Sequence, residues 1–93
     1  MKLCNNWLLV EEIQLDYTID GLLQKYDDTD PIMIFKVLDC DTDTESNLLT
    51  YTNDLSNTYL LCNRLNKTPW HGKYLIKKDN IIAILTEQDI NTL

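Results

Sequence analysis

Tyr74-Leu75-Ile76-Lys77-Lys78-Asp79-Asn80-Ile81-Ile82-Ala83-Ile84-Leu85 is the stretch of this chain whose reading decides the fold. Two short apolar runs flank a polar break that closes on a turn-prone Asp-Asn pair. The second run is too short for a helix and rich in β-branched side chains, which pack well on a pleated surface. The reading is strand, turn, strand. A matching run, Trp7-Leu8-Leu9-Val10, stands near the other end of the chain. A small domain bounded by apolar strands either ties them into its own sheet or offers them to a neighbouring chain.

The chain has 93 residues, enough for one domain and one core. Its hydrophobic fraction of 44% is that of a folded protein. A domain this small buries a modest share of its surface, and oligomerisation adds burial. The net charge of −7, from 15 acidic and 8 basic residues, argues against nucleic-acid binding, which needs clustered Lys and Arg at phosphates. The longest apolar runs are about five residues, against the ~20 needed to span a bilayer, so no membrane association is expected. The first residues, Met1-Lys2-Leu3-Cys4-Asn5-Asn6, lack the apolar centre of a signal peptide. Cys4, Cys40 and Cys62 are an odd, widely spaced set that reads as reduced thiols, and the expected compartment is the cytoplasm.

Strands are expected at Trp7–Glu12, Ile32–Leu38, Leu48–Thr52, Tyr59–Cys62, Lys73–Ile76 and Ile81–Leu85. The Asp, Asn, Thr and Ser clusters between them favour turns through side-chain hydrogen bonds to the backbone. Short strands at this spacing predict an all-β fold, a small barrel or sandwich. From Gln14 to Pro31 runs a connection of about 18 residues, longer than compact domains usually carry without a reason. Its centre is apolar, Gly21-Leu22-Leu23. Such a loop either docks into an apolar groove of a partner or tucks its leucines under the domain. Ile19, Leu22, Leu23 and Tyr26 also fit helical spacing. A helix over Tyr17–Tyr26 is therefore the alternative, although Gly21 in its middle costs it about 1 kcal/mol relative to Ala.

No catalytic constellation stands out. Asp39-x-Asp41-x-Asp43 imitates the start of a calcium-binding loop, but Thr44 takes the place of the required Gly and Thr50 that of the bidentate acid. His71 is the only histidine and lies in the turn-like Pro69-Trp70-His71-Gly72, without a nucleophile or second ligand nearby in sequence. The Gly-rich loop that cradles phosphates is missing. The expectation is a non-enzyme with no metal and no cofactor.

In the order of its parts the chain resembles the GroES-type co-chaperonins. Asn5-Asn6-Trp7-Leu8-Leu9-Val10 stands where that family has a G-D-R-V-L-V strand. Asp20-Gly21-Leu22-Leu23-Gln24 stands in its mobile loop with a Gly-led aliphatic triplet. Ile34-Phe35-Lys36-Val37-Leu38-Asp39 is similar to its G-x-V-V-A-V-G strand, and Ser56-Asn57-Thr58-Tyr59-Leu60-Leu61 to G-D-x-V-L-F. Tyr74–Leu85 resembles the ending Y-L-I-L-x-E-D-D-I-L-A-I-L in type and spacing. The departures are few glycines, Gln24 in place of a third aliphatic residue, and little room between Leu38 and Leu55 for the family's roof hairpin. Such drift resembles the divergent co-chaperonins of tailed phages.

The resemblance implies a small irregular GroES-like β-barrel, with a long mobile loop over about residues 14–31 and a shortened roof hairpin. It implies a homoheptamer, a ring of seven chains of 10.9 kDa and roughly 76 kDa in all. In that ring Trp7, Leu8, Leu9 and Val10 of one chain pair with Ile81, Ile82, Ala83, Ile84 and Leu85 of the next. The implied partner is an ATP-bound GroEL-type chaperonin, in the host cytoplasm if the chain is phage-encoded, contacted by Ile19, Gly21, Leu22 and Leu23. Asp39, Asp41, Asp43 and Glu45 are then candidates for a polar chamber wall, or simply for a solvated turn. A rival function is a small acidic inhibitor that occupies the nucleic-acid-binding surface of a partner. A third is a structural β-module of a phage particle.

Overall fold

Alternation builds the sheet. In β1 (Trp7–Ile13), Leu8 and Val10 are buried, and in β4 (Ile32–Cys40) Met33, Phe35 and Val37 are. The same holds for Leu60 and Cys62 of β5 (Tyr59–Asn63) and for Ile76 of β7 (Lys73–Lys77). Every second side chain thus points to one face, and these faces meet in a single core. The computed structural model describes residues 2–13, 17–19, 22–24 and 32–91. Completing the main sheet are β6 (Thr68–Trp70) and β8 (Ile81–Leu85), in the order β6-β7-β1-β4-β5-β8 with all neighbours antiparallel. Between β1 and β4 in sequence, β2 (Tyr17–Ile19) and β3 (Leu22–Gln24) pair with each other as a separate two-stranded sheet.

A short link fixes the curvature. Alternating antiparallel neighbours make β7 and β8 run in the same direction, four positions apart, yet only the 3-10 turn Lys78–Asn80 joins them. Four flat steps of about 4.8 Å would separate the strands by about 19 Å. The chain from Lys77 to Ile81 reaches at most about 15 Å. Parallel neighbours in an ordinary sheet need a dozen or more linking residues. The sheet must therefore roll around its concave face. It does not close: among the described residues no ladder joins β8 to β6 or β7. The fold is mostly β, as expected, but as a rolled open sheet rather than the closed barrel implied by the resemblance.

Two expected elements differ. Leu48–Thr52 is not a strand. The helix α1 (Thr42–Leu48) ends there, with Thr44 and Leu48 buried. Asp41 caps it by accepting the Thr44 N–H at 3.1 Å, and Asp43 and Glu45 sit in its first turn, where negative charge suits the helix dipole. Where a shortened roof hairpin was implied, the chain forms α1 and the 3-10 turn Leu55–Asn57, tied by a buried 2.8 Å hydrogen bond between the Thr52 and Thr58 hydroxyls. The alternative helix over Tyr17–Tyr26 gives way to β2 and β3.

Outside expectation, a second short helix, α2 (Glu87–Asn91), follows β8. Its start is a reciprocal cap: Thr86 N–H donates to the Asp89 carboxylate at 2.9 Å and Asp89 N–H to the Thr86 hydroxyl at 3.3 Å. His71, read as a turn residue, joins β6 to β7 together with Gly72. Both have positive φ, 47° and 79°, as the tightest hairpin turns require. Phe35 lies at the centre of the core, with no exposed surface, and Tyr74 meets its ring edge-on at 5.9 Å. Phe35→Ala is expected to destabilise the fold by about 3–5 kcal/mol, read as a lower urea midpoint.

Candidate functional site

The residues expected to bind a partner fall in three places. Ile19 ends β2, and Leu22 and Leu23 open β3, with Ile19 opposite Leu22 and Thr18 opposite Leu23 in the ladder. Gly21 lies outside the described residues. The hairpin is attached where β1 and β4 pair at Ile13 and Ile34, so it leaves from one end of the main sheet. The backbone therefore brings Ile19, Leu22 and Leu23 together on one short two-stranded unit.

The expected seam between chains changes. Trp7–Val10 pairs with Tyr74–Lys77 on one side, and Leu8–Val10 pairs with β4 on the other. Within one chain, Leu8–Val10 therefore carries a ladder on each side, and Leu8 and Val10 are spent in the core. The reason lies in the order of strands: β7 fills the flank that the N-terminal strand was expected to offer.

The other half of that seam keeps an open edge. Opposite β5, β8 has no ladder partner among the described residues. Leu61 pairs with Ala83 but Cys62 with Ile81, so Ile82 is the extra residue of a bulge. Its side chain is 57% exposed, whereas Ile81, Ala83, Ile84 and Leu85 are half-buried. Beside it lies a groove of about 410 Å³ whose lining includes Leu48, Tyr51, Lys78, Ile82 and Ile84. Tyr51 is 66% exposed and Leu49 is exposed too. The sequence reading missed Tyr51 because it placed that residue in a strand.

At the opposite end of the sheet, β6 is also an edge. Leu3, Cys4, Trp7, Thr68 and Leu75, with Lys2, line a cleft of about 260 Å³ there. Trp70 is 44% exposed and meets the His71 ring at 4.6 Å. Arg64–Lys78 holds five of the eight cations and none of the 15 acidic residues, which leaves the rest of the chain with a charge of −12. Lys77 lies over the Trp7 ring at 5.6 Å and Lys67 over Tyr74 at 5.2 Å. Composition averages this segregation away. Counting charge along the sequence would have found it.

A third cleft, of about 420 Å³, has Cys4, Asp39, Cys40, Asp41 and Asp43 in its lining. The calcium-like spacing is consumed by backbone. Asp39 accepts the Cys40 N–H at 2.9 Å, and Asp41 accepts those of Asn6 at 3.0 Å and Thr44 at 3.1 Å. Among the described residues no group of three or more His, Cys, Asp or Glu is placed to hold a metal ion. The cysteines are free thiols. Burial, with Glu45, Asp39 and Asp41 nearby, raises the Cys40 thiol to about 11. Burial raises Cys62 to about 12 against the opposing hydrogen bond from the Ile82 backbone. Both stay protonated at neutral pH and are poor nucleophiles.

Comparison with family models, curated proteins and solved structures finds no match to this chain. Among the described residues no helix is long and apolar enough to cross a membrane.

Asp41 ties the N-terminal turn to α1. Asn5 and Asn6 both have positive φ, 58° and 64°, in a turn closed by Trp7 N–H on Cys4 oxygen at 3.2 Å. Asn6 oxygen in turn accepts the Lys78 N–H at 2.8 Å. Hydrogen bonds from Thr44, and then from the Asn6 backbone, hold the Asp41 carboxyl below its ordinary value of 3.8. A depressed folded value means that the stabilisation is complete above 3.8 and is lost as pH falls through the lower folded value. Asp41→Asn should lower the melting temperature at neutral pH, and its gap from the wild type should shrink in melts taken progressively below 3.8.

Proposed function

We propose that this chain is a GroES-type co-chaperonin, a lid that caps an ATP-bound GroEL-type chaperonin ring and encloses a folding chamber. The observation that carries this reading is the hairpin β2–β3. It forms a sheet of its own at the place in the chain where that family has its mobile loop, and it bears Leu22-Leu23. The strand-turn-strand ending Tyr74–Leu85 and a mostly-β sheet agree with it.

The mechanism is capping by avidity. Ile19, Gly21, Leu22 and Leu23 dock in apolar grooves at the chaperonin rim. A contact made by so few apolar side chains is weak on its own. A homoheptamer of roughly 76 kDa presents its copies at high effective concentration, and weak sites together close the ring while each can still release. ATP binding and hydrolysis belong to the chaperonin. The co-chaperonin contributes geometry and a removable cover.

Leu22→Asp or Leu23→Asp is expected to abolish co-sedimentation with the chaperonin in the presence of ATP, and client refolding with it. Light scattering should show the same assembled mass as the wild type. Normal chaperonin binding by these variants would refute the loop assignment. A stable monomer that competes with nucleic acid for a basic protein would instead favour the acidic inhibitor.

A further inference from the structure

Two of the three thiols share a cleft that the lid reading does not use. Among the described residues, the cleft of about 420 Å³ is lined by two short segments, residues 2–5 and 39–43, and each brings one cysteine, Cys4 or Cys40. Neighbouring groups already hold these segments together. Asn6 N–H donates to the Asp41 carboxylate at 3.0 Å, two residues after Cys4 and one after Cys40. Trp7 N–H, on the Cys4 oxygen, turns the chain into β1, whose Leu8 is the ladder partner of Cys40. Cys4 is exposed and residues 2–4 belong to no strand or helix, so its thiol can shift without breaking a ladder. Cys62, by contrast, is fully buried in the core.

We infer that Cys4 and Cys40 are a thiol-oxidation site, closed by exchange with a low-molecular-weight disulfide into a bridge that pins the N-terminal turn to the corner between β4 and α1. The inference goes beyond the lid reading and stands without it. Exchange takes two steps. The Cys4 thiolate attacks one sulfur of the small disulfide, forms a mixed disulfide and releases the other half as a thiolate, which is protonated from solvent. Cys40, having given its proton to solvent, then attacks the Cys4 sulfur, forms the Cys4–Cys40 bond and releases the second half. Two protein thiols are oxidised, and one small disulfide is reduced to two thiols.

Exposure sets the order of the steps. Cys4 is open to solvent, whereas burial and the carboxylates of Glu45, Asp39 and Asp41 keep Cys40 protonated. Cys40 therefore enters second, when its target is held in the same molecule at high effective concentration. The bridge closes a loop from residue 4 to residue 40 that contains β1, the β2–β3 hairpin and β4. A closed loop restricts the unfolded chain, so oxidation stabilises the fold. At the far end of the β1–β4 ladder, Ile13 and Ile34 mark where the hairpin leaves, so the bridge fixes one end of this strand pair and does not touch the other.

Hydroxyethyl disulfide tests the pair, because it is neutral and is not repelled by Asp39, Asp41 and Asp43. Treated wild type should lose two hydrogens in intact mass, carry no adduct, and yield a linked Cys4–Cys40 peptide in a non-reducing digest. Cys40→Ser should stop at one mercaptoethanol adduct on Cys4, and Cys4→Ser should acquire none in the same time. The bridged wild type should melt about 10 °C above the reduced protein, a gain that dithiothreitol reverses. Wild type that keeps its adduct on Cys4, links two chains, pairs Cys40 with Cys62 or does not react would overturn the inference. A bridged protein that melts no higher than the reduced one would overturn it as well.

Discussion

Three residues, Lys78–Asn80, join two strands that run the same way on opposite sides of four ladders. That link is too short for a flat sheet, so it rolls the sheet, and most of the remaining structure follows. Rolling gives Leu8, Val10, Phe35, Leu60 and Ile76 a common interior without a second sheet to pack against. It also leaves α1 to cover part of the interior through Leu48 and Thr44, a modest task that a seven-residue helix can meet. The edges that remain, β6 and β8, are the places where the rolled sheet fails to meet itself.

The same constraint sets what the interior and the surface each hold. The core consumes the inward side chains of β1, β4, β5 and β7, and the hydrogen-bonding groups of Asp39 and Asp41 are engaged by nearby backbone. Exposed apolar residues lie elsewhere, among them Ile82, Tyr51 and Leu49 beside one edge, Trp70 at the other, and Leu65 and Ile32. The β2–β3 hairpin forms a separate two-stranded sheet.

Much of the sheet was legible because alternation has a fixed period and a fixed consequence. Trp7–Glu12, Ile32–Leu38, Tyr59–Cys62, Lys73–Ile76 and Ile81–Leu85 all fall within observed strands. The failures occurred where side chains compete for the backbone. Thr42–Leu48 is rich in residues that favour turns, and only the position of Asp41 ahead of Asp43 and Glu45 marks it as a capped helix. Thr86 and Asp89 form a shorter signal of the same kind. The site was legible in part. Leu22 and Leu23 attract notice as apolar residues in a long polar connection, whereas Tyr51 and the cleft of Leu3, Trp7, Thr68 and Leu75 are assembled from distant segments.

The terminal stretch Tyr74–Leu85 shows where the division lies. By itself it determined two strands and the turn between them, since β-branched alternation and a polar Asp-Asn break are local properties. Which strand each would lie beside was not local. β7 took one flank of Trp7–Val10, and β8 was left against β5, its other edge without a ladder among the described residues. That choice was made by the rolling of the whole sheet, because pairing depends on which edges curvature brings within hydrogen-bonding reach, and no stretch of sequence states its own distance from another.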